Sequence, residues 1–527
     1  MNNILENLLL VATILNGSSA ADKQLQYMLI IEIIKRIQLG QQIDKEELEL
    51  MLEDVAEGRA ISIRKAENLL KSTEVFYPDF EGHWHFNEEL IISGKKTEFS
   101  EIVELFGDNR TGDQVVQESE DDNTKKSIIN GINWMLDMVL AAKEDGNIEG
   151  LPAFFSCDGT TDHIIGFKTA GTATSDALSL ICQSVEYLKD CGKTPKEIEV
   201  CIRFLLEKIQ KCQCSIPGWD FGGFYPFEDQ PDSYHPTVDA TCLAVMALGT
   251  FYAERGSLEK EFGFAFEKQI EAVEEAVIAG LEFLFRMELA DGSFGIYRYK
   301  GDVPKTQPNE NCTRMVQSTM GVSKGSGIFD SKDRDVYYPK CSGVIRNTYN
   351  YLCEHKAVDE NGYQLWAPYF GSNAGDYSTE NVVVSTARVC RSFIPVWWQI
   401  EDERKDILKY NEDFLAYWRN CEETLKDKVG VYRFNSPSEN EFSAGEYEWS
   451  SHPDMLAAFS VLQAYNLFGI ALNKQDWTII NKAVLHTMAL QHPHGHWDNP
   501  RAKNTPFCAV TLAAIEILEE YRKAIKE

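Results

Sequence analysis

A unit of about seventy residues recurs six times in this 527-residue chain, and it constrains the fold more than any other feature. Each unit has a helix of mixed polarity, a short turn with glycine and an aromatic residue, a polar loop and a more apolar helix. The turn aromatics are separated by 70, 70, 72, 66 and 65 residues; they are Phe154, Phe224, Phe294, Trp366, Tyr432 and Trp497. This regular spacing predicts one repeated structural unit.

The second helix of each unit is predicted to be buried. Residues 243–248 are all apolar, and a helix without a polar face must be covered on every side. These helices are predicted to start near Ser175, Val238, Asn311, Asn381, Pro453 and Thr505, mostly at residues that can cap a helix. Capping is therefore one interpretation of Asp239. The first helices, such as 198–209 and 272–287, keep charges on one face and should lie outside.

Six inner and six outer helices fit a closed double ring. We therefore predict an all-α fold, an (α/α)6 toroid of six helix pairs over residues 121–527, with an open helical solenoid as the alternative. Residues 1–120 lack the repeat and are predicted to be an additional, mainly helical N-terminal region of unknown role. Helices are expected over 28–39 and 43–70, a loop or short strand over 76–93, and an acidic linker over 118–122.

Composition excludes several classes of function. The formal net charge of -31 argues against binding to nucleic acid or to an anionic membrane surface, since both need clustered Lys and Arg. No run approaches the roughly 18 apolar residues that span a bilayer, so no membrane span is predicted. The thirteen cysteines are scattered, which indicates reduced thiols and a cytoplasmic location.

Two segments resemble one known family. Residues 217–224 read PGWDFGGF and 235–242 read HPTVDATC, which resembles squalene–hopene cyclases, where a Gly-Gly-aromatic turn precedes a D-x-D-D-T-A helix start. Residues 491–497, QHPHGHW, match the Q-x3-G-x-W repeat of the same family. On this resemblance, residues 121–527 are identified as a member of the terpenoid cyclase and protein prenyltransferase superfamily.

The resemblance implies a terpenoid-cyclase-like protein that binds an apolar or isoprenoid ligand in a central cavity. If the protein is an enzyme, it implies class II-type cyclisation started by protonation, with Asp239 as proton donor assisted by His235. The D-x-D-D motif is degenerate, because Thr237 and Ala240 stand where the family has the flanking carboxylates. Two alternatives stay open: a non-catalytic toroid that binds a protein or peptide partner, and prenyl transfer with a partner subunit.

Further candidates come from charges and aromatics in unusual places. Arg314 and Arg388 interrupt apolar inner helices, so they either bind a substrate diphosphate or form ion pairs with Glu310, Glu380 or Asp239. The aromatic residues proposed to line the pocket are Trp219, Phe221, Tyr234 and Tyr297. No cofactor is predicted: Mg²⁺ would be needed only for a diphosphate substrate, and the spacing of Asp239, Cys242 and His452 argues against zinc.

Toroids of this shape also serve glycosidases. That chemistry needs a pair of carboxyl groups, and the sequence singles out no such pair at one end of the ring.

Overall fold

The chain consists of two compact units, residues 1–123 and 124–527. The structure is a computed structural model that describes residues 76–78, 84–86, 112–145, 171–225, 235–295, 308, 310–329, 334–367, 378–425, 428–433, 448–500 and 502–526. In the first unit, strands β1 (Phe76–Pro78) and β2 (Trp84–Phe86) form an antiparallel hairpin. The predicted short strand is thereby confirmed, whereas the helices predicted over 28–39 and 43–70 lie outside the described residues.

Outer and inner helices alternate along the second unit. The outer helices are α1 (Gly112–Asp145, which begins in the first unit), α4 (Pro195–Lys211), α6 (Glu267–Met287), α8 (Arg334–Glu354), α10 (Arg404–Leu425) and α12 (Lys474–Ala489). The inner helices are α2 (Gly171–Gln183), α5 (Val238–Phe262), α7 (Glu310–Gly325), α9 (Thr379–Ser392), α11 (Pro453–Phe468) and α13 (Cys508–Lys526). A short helix, α3 (Val185–Leu188), follows α2.

The inner helices form a closed ring. Each inner helix packs against the next, and α13 packs against α2. The last turn repeats a contact made earlier in the ring: the Gln491 side-chain amide donates to the Ser127 carbonyl of α1 at 2.8 Å, as that of Gln213 donates to Ala276 of α6. The all-α toroid is therefore confirmed, and the open solenoid is excluded.

The repeated aromatics fix each turn to the inner helix that follows it. Four of them are fully buried, and each donates its backbone N–H to a threonine hydroxyl on the inner helix at 2.9–3.1 Å. The pairs are Phe224 with Thr241, Phe294 with Thr313, Trp366 with Thr386, and Trp497 with Thr511. Each bond satisfies a buried amide that the turn itself leaves without a partner.

Short antiparallel hairpins join outer to inner helices in the last three repeats. They pair β3 (Ala357–Val358) with β4 (Gln364–Leu365), β5 (Gly430–Arg433) with β6 (Glu448–Ser451), and β7 (Asp498–Asn499) with β8 (Ala502–Pro506). The predicted helix start at Thr505 is wrong, because Thr505 and Pro506 lie in β8. The predicted linker over 118–122 is also wrong, since these residues belong to α1.

The starts of the inner helices differ in detail from the prediction. At α5 the N-cap is Thr237 rather than Asp239, and its hydroxyl accepts a hydrogen bond from the Ala240 N–H at 3.3 Å. Helix α2 starts at Gly171, which places Asp176 in the second turn and not at a cap. Among the described residues, no helix is both long enough and apolar enough to cross a membrane.

Candidate functional site in the central cavity

The inner helices of the ring enclose a cavity of about 460 Å³. Each of the first three contributes a stripe spaced by three or four residues, as in Thr172, Asp176, Ser179 and Gln183 of α2. This spacing keeps the side chains on one helical face. Fifteen of the 28 lining residues are polar or charged. Because polar groups are costly to bury without partners, such a wall favours a ligand with hydrogen-bonding groups.

Asp176 is a buried carboxyl group on the cavity wall. Its residue is 7% exposed. Burial, together with the nearby Glu516 carboxyl, raises the pKa of Asp176 to about 8. The side chain is therefore mainly protonated at neutral pH and can donate a proton to a bound molecule.

Glu516 faces the same cavity from α13 and is paired with a guanidinium group. Its Oε2 accepts a hydrogen bond from Arg391 Nη2 at 3.3 Å, and the Arg391 guanidinium lies 3.7 Å from the ring centroid of Phe459. Burial raises the pKa of Glu516, and the Arg391 charge opposes that rise. Arg391 thus limits the rise in the pKa of Glu516, so that the two carboxyl groups stand in different electrostatic surroundings.

Asp239 also lines the cavity, from the first turn of α5. Its Oδ1 is buried and has no hydrogen-bond partner among the described residues. Burial raises the pKa of Asp239, and hydrogen bonding to Thr237 opposes the rise. Asp239 is therefore a second buried acid with a raised pKa on the first three inner helices of the cavity wall.

The two predicted arginines both line the cavity. Arg314 Nε lies 3.2 Å from Glu310 Oε1 and forms one of the ion pairs expected from the sequence. Arg388 Nη2 donates to Ser451 Oγ at 3.0 Å. Burial raises the pKa of Glu310 to about 7, against the opposing charges of both arginines. Arg314 and Arg388 are therefore linked electrostatically through one buried carboxyl group.

The other predicted site residues do not reach this cavity or lie outside the described residues. His235 is half-buried and its Nδ1 lies 2.7 Å from Asp220 Oδ2. Trp219 and Phe221 lie on the outer turn and are 53% and 44% exposed. Tyr234 and Tyr297 lie outside the described residues.

In the described part of the chain no group of three or more His, Cys, Asp or Glu residues could hold a metal ion. His492 and His496, in the last turn, stack on one another with ring centroids 4.4 Å apart, and neither lines the cavity. The described residues therefore provide no set of zinc ligands in the cavity.

Sequence reasoning missed Asp176, Glu516 and Arg391. Asp176 resembled a helix cap, and the other two lie inside inner helices that are far apart in the chain. A usable signal was present in α2, where polar residues 172, 176, 179 and 183 follow the period of one helical face.

Comparisons with known proteins give no family match. No protein-family model matches the chain, and no curated protein matches it. Among solved structures, the chain is similar to a D-mannose isomerase at 11% identity and a TM-score of 0.48, covering 75% of this chain and 97% of that one. It is also similar to a cellobiose 2-epimerase from Bacillus thermoamylovorans, with 12% sequence identity and a TM-score of 0.47. The match covers 72% of this chain and 93% of that one.

A third similar structure is a glycoside hydrolase family 76 mannosidase from Bacteroides thetaiotaomicron. Identity is 10% and the TM-score 0.45, with 76% of this chain and 99% of that one covered. Likeness at this level concerns the course of the helices and not the chemistry of the cavity.

The expected relation to terpenoid cyclases and prenyltransferases is wrong. The solved structures reported above are sugar-processing enzymes, and the residues of the Q-x3-G-x-W motif have structural roles here. Gln491 and Trp497 hold the last turn. The cavity wall carries acids, amides, hydroxyls and guanidinium groups among apolar side chains, and covering these polar groups with an apolar or isoprenoid ligand would cost free energy. The predictions of cyclisation, prenyl transfer and protein binding are likewise not supported.

Proposed function

We propose that the central cavity binds a small hydroxyl-rich molecule of the sugar class and transfers protons to and from it. The observation that carries this proposal is the pair of carboxyl groups, Asp176 and Glu516, that face one cavity in different electrostatic surroundings. Asp176 is the proton donor and Glu516, paired with Arg391, is the base. General acid–base catalysis at neutral pH commonly uses two carboxyl groups, one protonated and one ionised.

The wall of the cavity supports the choice of ligand. Amide and hydroxyl side chains, such as Gln183, Gln463 and Ser318, alternate with aliphatic ones such as Leu243 and Met315. A sugar presents hydroxyl groups that both donate and accept hydrogen bonds, next to small apolar C–H faces. We assign Asp239, which also lines the cavity, to binding of one substrate hydroxyl rather than to the proton transfer itself.

Cysteine chemistry supports the proposed location. The described residues include twelve cysteines present as thiols, and eleven of them are buried. A reducing compartment keeps such thiols unpaired, so we propose the cytoplasm.

The test is an activity screen with the full-length protein and the variant Asp176→Asn. Sugar isomerisation is followed with D-mannose and D-fructose, epimerisation with cellobiose, and hydrolysis with nitrophenyl mannosides and glucosides. Removal of the proton donor should lower kcat on the active substrate by about 10²- to 10⁴-fold. The activity of the unmodified protein should fall as pH rises past about 8, where Asp176 loses its proton.

Asp454→Asn is the matched control. Asp454 lies near the start of another inner helix, as Asp176 does, but it bonds to His486 at 2.8 Å and does not line the cavity. This variant should keep its activity. Full activity of Asp176→Asn, or no turnover of any of these sugars, would overturn the proposal.

A further inference from the structure

The Arg391 guanidinium crosses an intervening helix to reach Glu516. Arg391 lies on α9 and Glu516 on α13, and both helices pack against α11, which stands between them in the ring. Phe459 belongs to this middle helix and is 2% exposed. The guanidinium carbon of Arg391 lies 3.7 Å from the centroid of the Phe459 ring, and its Nη2 donates to Glu516 Oε2 at 3.3 Å. One arginine side chain therefore contacts a residue on each of the next two inner helices.

Phe459 occupies a position that would otherwise face the cavity. Met455 and Gln463 of α11 both line the cavity, and Phe459 lies midway between them along the helix. Residues that are four apart share one face of a helix, yet Phe459 does not line the cavity. Its ring lies under the Arg391 guanidinium instead. Phe459 therefore acts on the cavity through Arg391 and not by contact with a ligand.

Two carboxyl groups of α13 act on the charge of Arg391. Burial lowers the pKa of Arg391, and Glu516 and Glu520, one helical turn apart, oppose this change. The Glu520 carboxyl group also bonds to other side chains: its Oε1 accepts from Lys523 and its Oε2 accepts from Asn466, both at 2.7 Å. The orientation of the guanidinium thus decides how strongly Arg391 acts on Glu516.

The aromatic ring restricts this orientation. The Arg391 side chain is 26% exposed and has several rotatable bonds, so without a support it would also point toward water or toward Glu520. The like charge of Arg388 on the same helix further disfavours a buried guanidinium. An aromatic face attracts a cation, and a contact shielded from water favours one orientation by about tenfold. Loss of the ring should therefore weaken the pairing of Arg391 with Glu516.

We infer that Phe459 is a positioning residue for the proposed reaction, because its ring holds the Arg391 guanidinium against Glu516, the proposed base. The inference rests on the proposed function, since it names a residue that acts on the base of the same cavity. The charged and titratable groups that act on Glu516 come from three helices: Arg391 of α9, Glu520 and Lys523 of α13, and Asp176 of α2. Phe459 acts through the first of these.

The test measures the pKa of Glu516 in the full-length protein without substrate. Nuclear magnetic resonance of glutamate labelled at the side-chain carboxyl carbon follows the titration, and the loss of one signal in Glu516→Gln identifies the residue. Phe459→Leu should raise the pKa of Glu516 by about 1 or more, because a nearby opposite charge lowers a carboxyl pKa by about 1 to 3. The acid limb of the pH profile of kcat/KM should move to higher pH by the same amount.

A second replacement keeps the shape of the ring. Exchange of Phe459 for trifluorophenylalanine retains a large apolar ring but weakens the negative potential of its face, which is the source of the attraction. The pKa of Glu516 should again rise, by less than in Phe459→Leu. This replacement tests the same contact without the cavity that the leucine variant leaves in the core.

Two controls separate positioning from general damage. Phe251 is also fully buried on an inner helix, α5, and its ring packs edge-to-face against Phe266 with centroids 5.1 Å apart. Phe251→Leu should reduce stability by a similar amount and leave the pKa of Glu516 unchanged. In an Arg391→Gln background, Phe459→Leu should no longer change the pKa of Glu516, because the two residues act as one unit.

The outcomes distinguish this inference from the proposed function. An unchanged pKa of Glu516 in both Phe459 replacements overturns the positioning role, whatever the activity screen shows. An equal change with and without Arg391 overturns it as well, since the ring would then act on Glu516 by burial alone. Absence of turnover of every sugar overturns the proposed function and the role of Glu516 as base, even if the pKa measurements show the expected coupling.

Discussion

Glycine at the repeated turns is required by close contact with the next outer helix. Gly495 has φ +100°, and a Cβ atom at this position would lie 2.2 Å from the carbonyl oxygen of Asn130. Gly222 repeats the arrangement with Ala279 of α6. The glycine of the G-x-aromatic turn thus allows close packing against the next outer helix. The recurrence of this turn therefore predicts the fold and not the catalytic or binding residues.

We expect Gly495→Ala to lower the free energy of unfolding by at least about 2 kcal/mol, because both the backbone angle and the contact become unfavourable. Chemical denaturation measures the change. Gly469→Ala is the matched control: Gly469 has φ +66°, but nothing lies within 4 Å of its added Cβ. Its cost should be about 1 kcal/mol. Equal losses in the two variants would contradict the role given to the Asn130 contact.

Sequence alone identified some cavity residues for reasons that hold in the structure. Arg314 and Arg388 stood out because a charge inside an apolar helix needs a partner or a polar cavity, and both line the cavity. Asp176 did not stand out, since an aspartate near a predicted helix start reads as a cap. Its role depends on where α2 begins. Because the helix starts at Gly171, five residues before Asp176, the Asp176 side chain lies in the second turn and faces the cavity.

At the level of elements, the outer helices are joined by ion pairs of unequal burial. Asp476, in the capping box of α12, is 1% exposed; it bonds to the Asn473 N–H at 2.9 Å and pairs with Arg419 of α10. Lys482 of α12 pairs with Glu422 of α10 at 3.1 Å, but its side chain is 55% exposed. Both pairs connect the same two helices.

This contrast predicts a large difference between two alanine substitutions. Asp476→Ala should lower the free energy of unfolding by about 3 kcal/mol, because it removes the cap and leaves Arg419 without its buried partner. Lys482→Ala should cost less than about 1 kcal/mol, because water already screens that pair. Urea denaturation measures both. Similar losses would show that burial does not decide the strength of these connections.

Element prediction succeeded where a period was strong and failed where connections decided the boundary. The inner helix α5 begins at Val238, as its apolar run indicates. The start of α13 was misplaced because Thr505 and Pro506 pair in β8 instead. Strand pairing depends on a partner segment, so local capping signals cannot exclude it.

For the whole molecule, the buried acids of the ring predict an unusual dependence of stability on pH. Asp176 and Glu310 have ordinary values of 3.8 and 4.5, and folding raises their pKa values to about 8 and about 7. At a pH between the ordinary pKa and the raised pKa of each acid, the folded state binds more protons than the unfolded state. These two acids should therefore make the free energy of unfolding fall as pH rises through this window.

The expected slope is a loss of up to about 1.4 kcal/mol per pH unit for each group. Denaturation at several values between about pH 5.5 and pH 8 measures it. Asp176→Asn keeps the shape of the protonated acid, so its stability should depend less on pH and exceed that of the unmodified protein near pH 8. A stability that rises with pH, or an unchanged slope in Asp176→Asn, would contradict the burial of these acids.

The sequence by itself determined the repeat, the alternation of outer and inner helices, and the closure into six units. These follow from local periods, since apolar spacing sets which helices are buried and the turn aromatics mark each repeat. Only the tertiary structure decided the chemistry of the centre. Asp176, Glu516 and Arg391 lie on three different helices, and they meet because ring closure brings α13 against α2 and turns one face of each helix inward. The face that each helix turns toward the centre is set by its packing against neighbouring helices. The sequence of a single helix does not determine this packing.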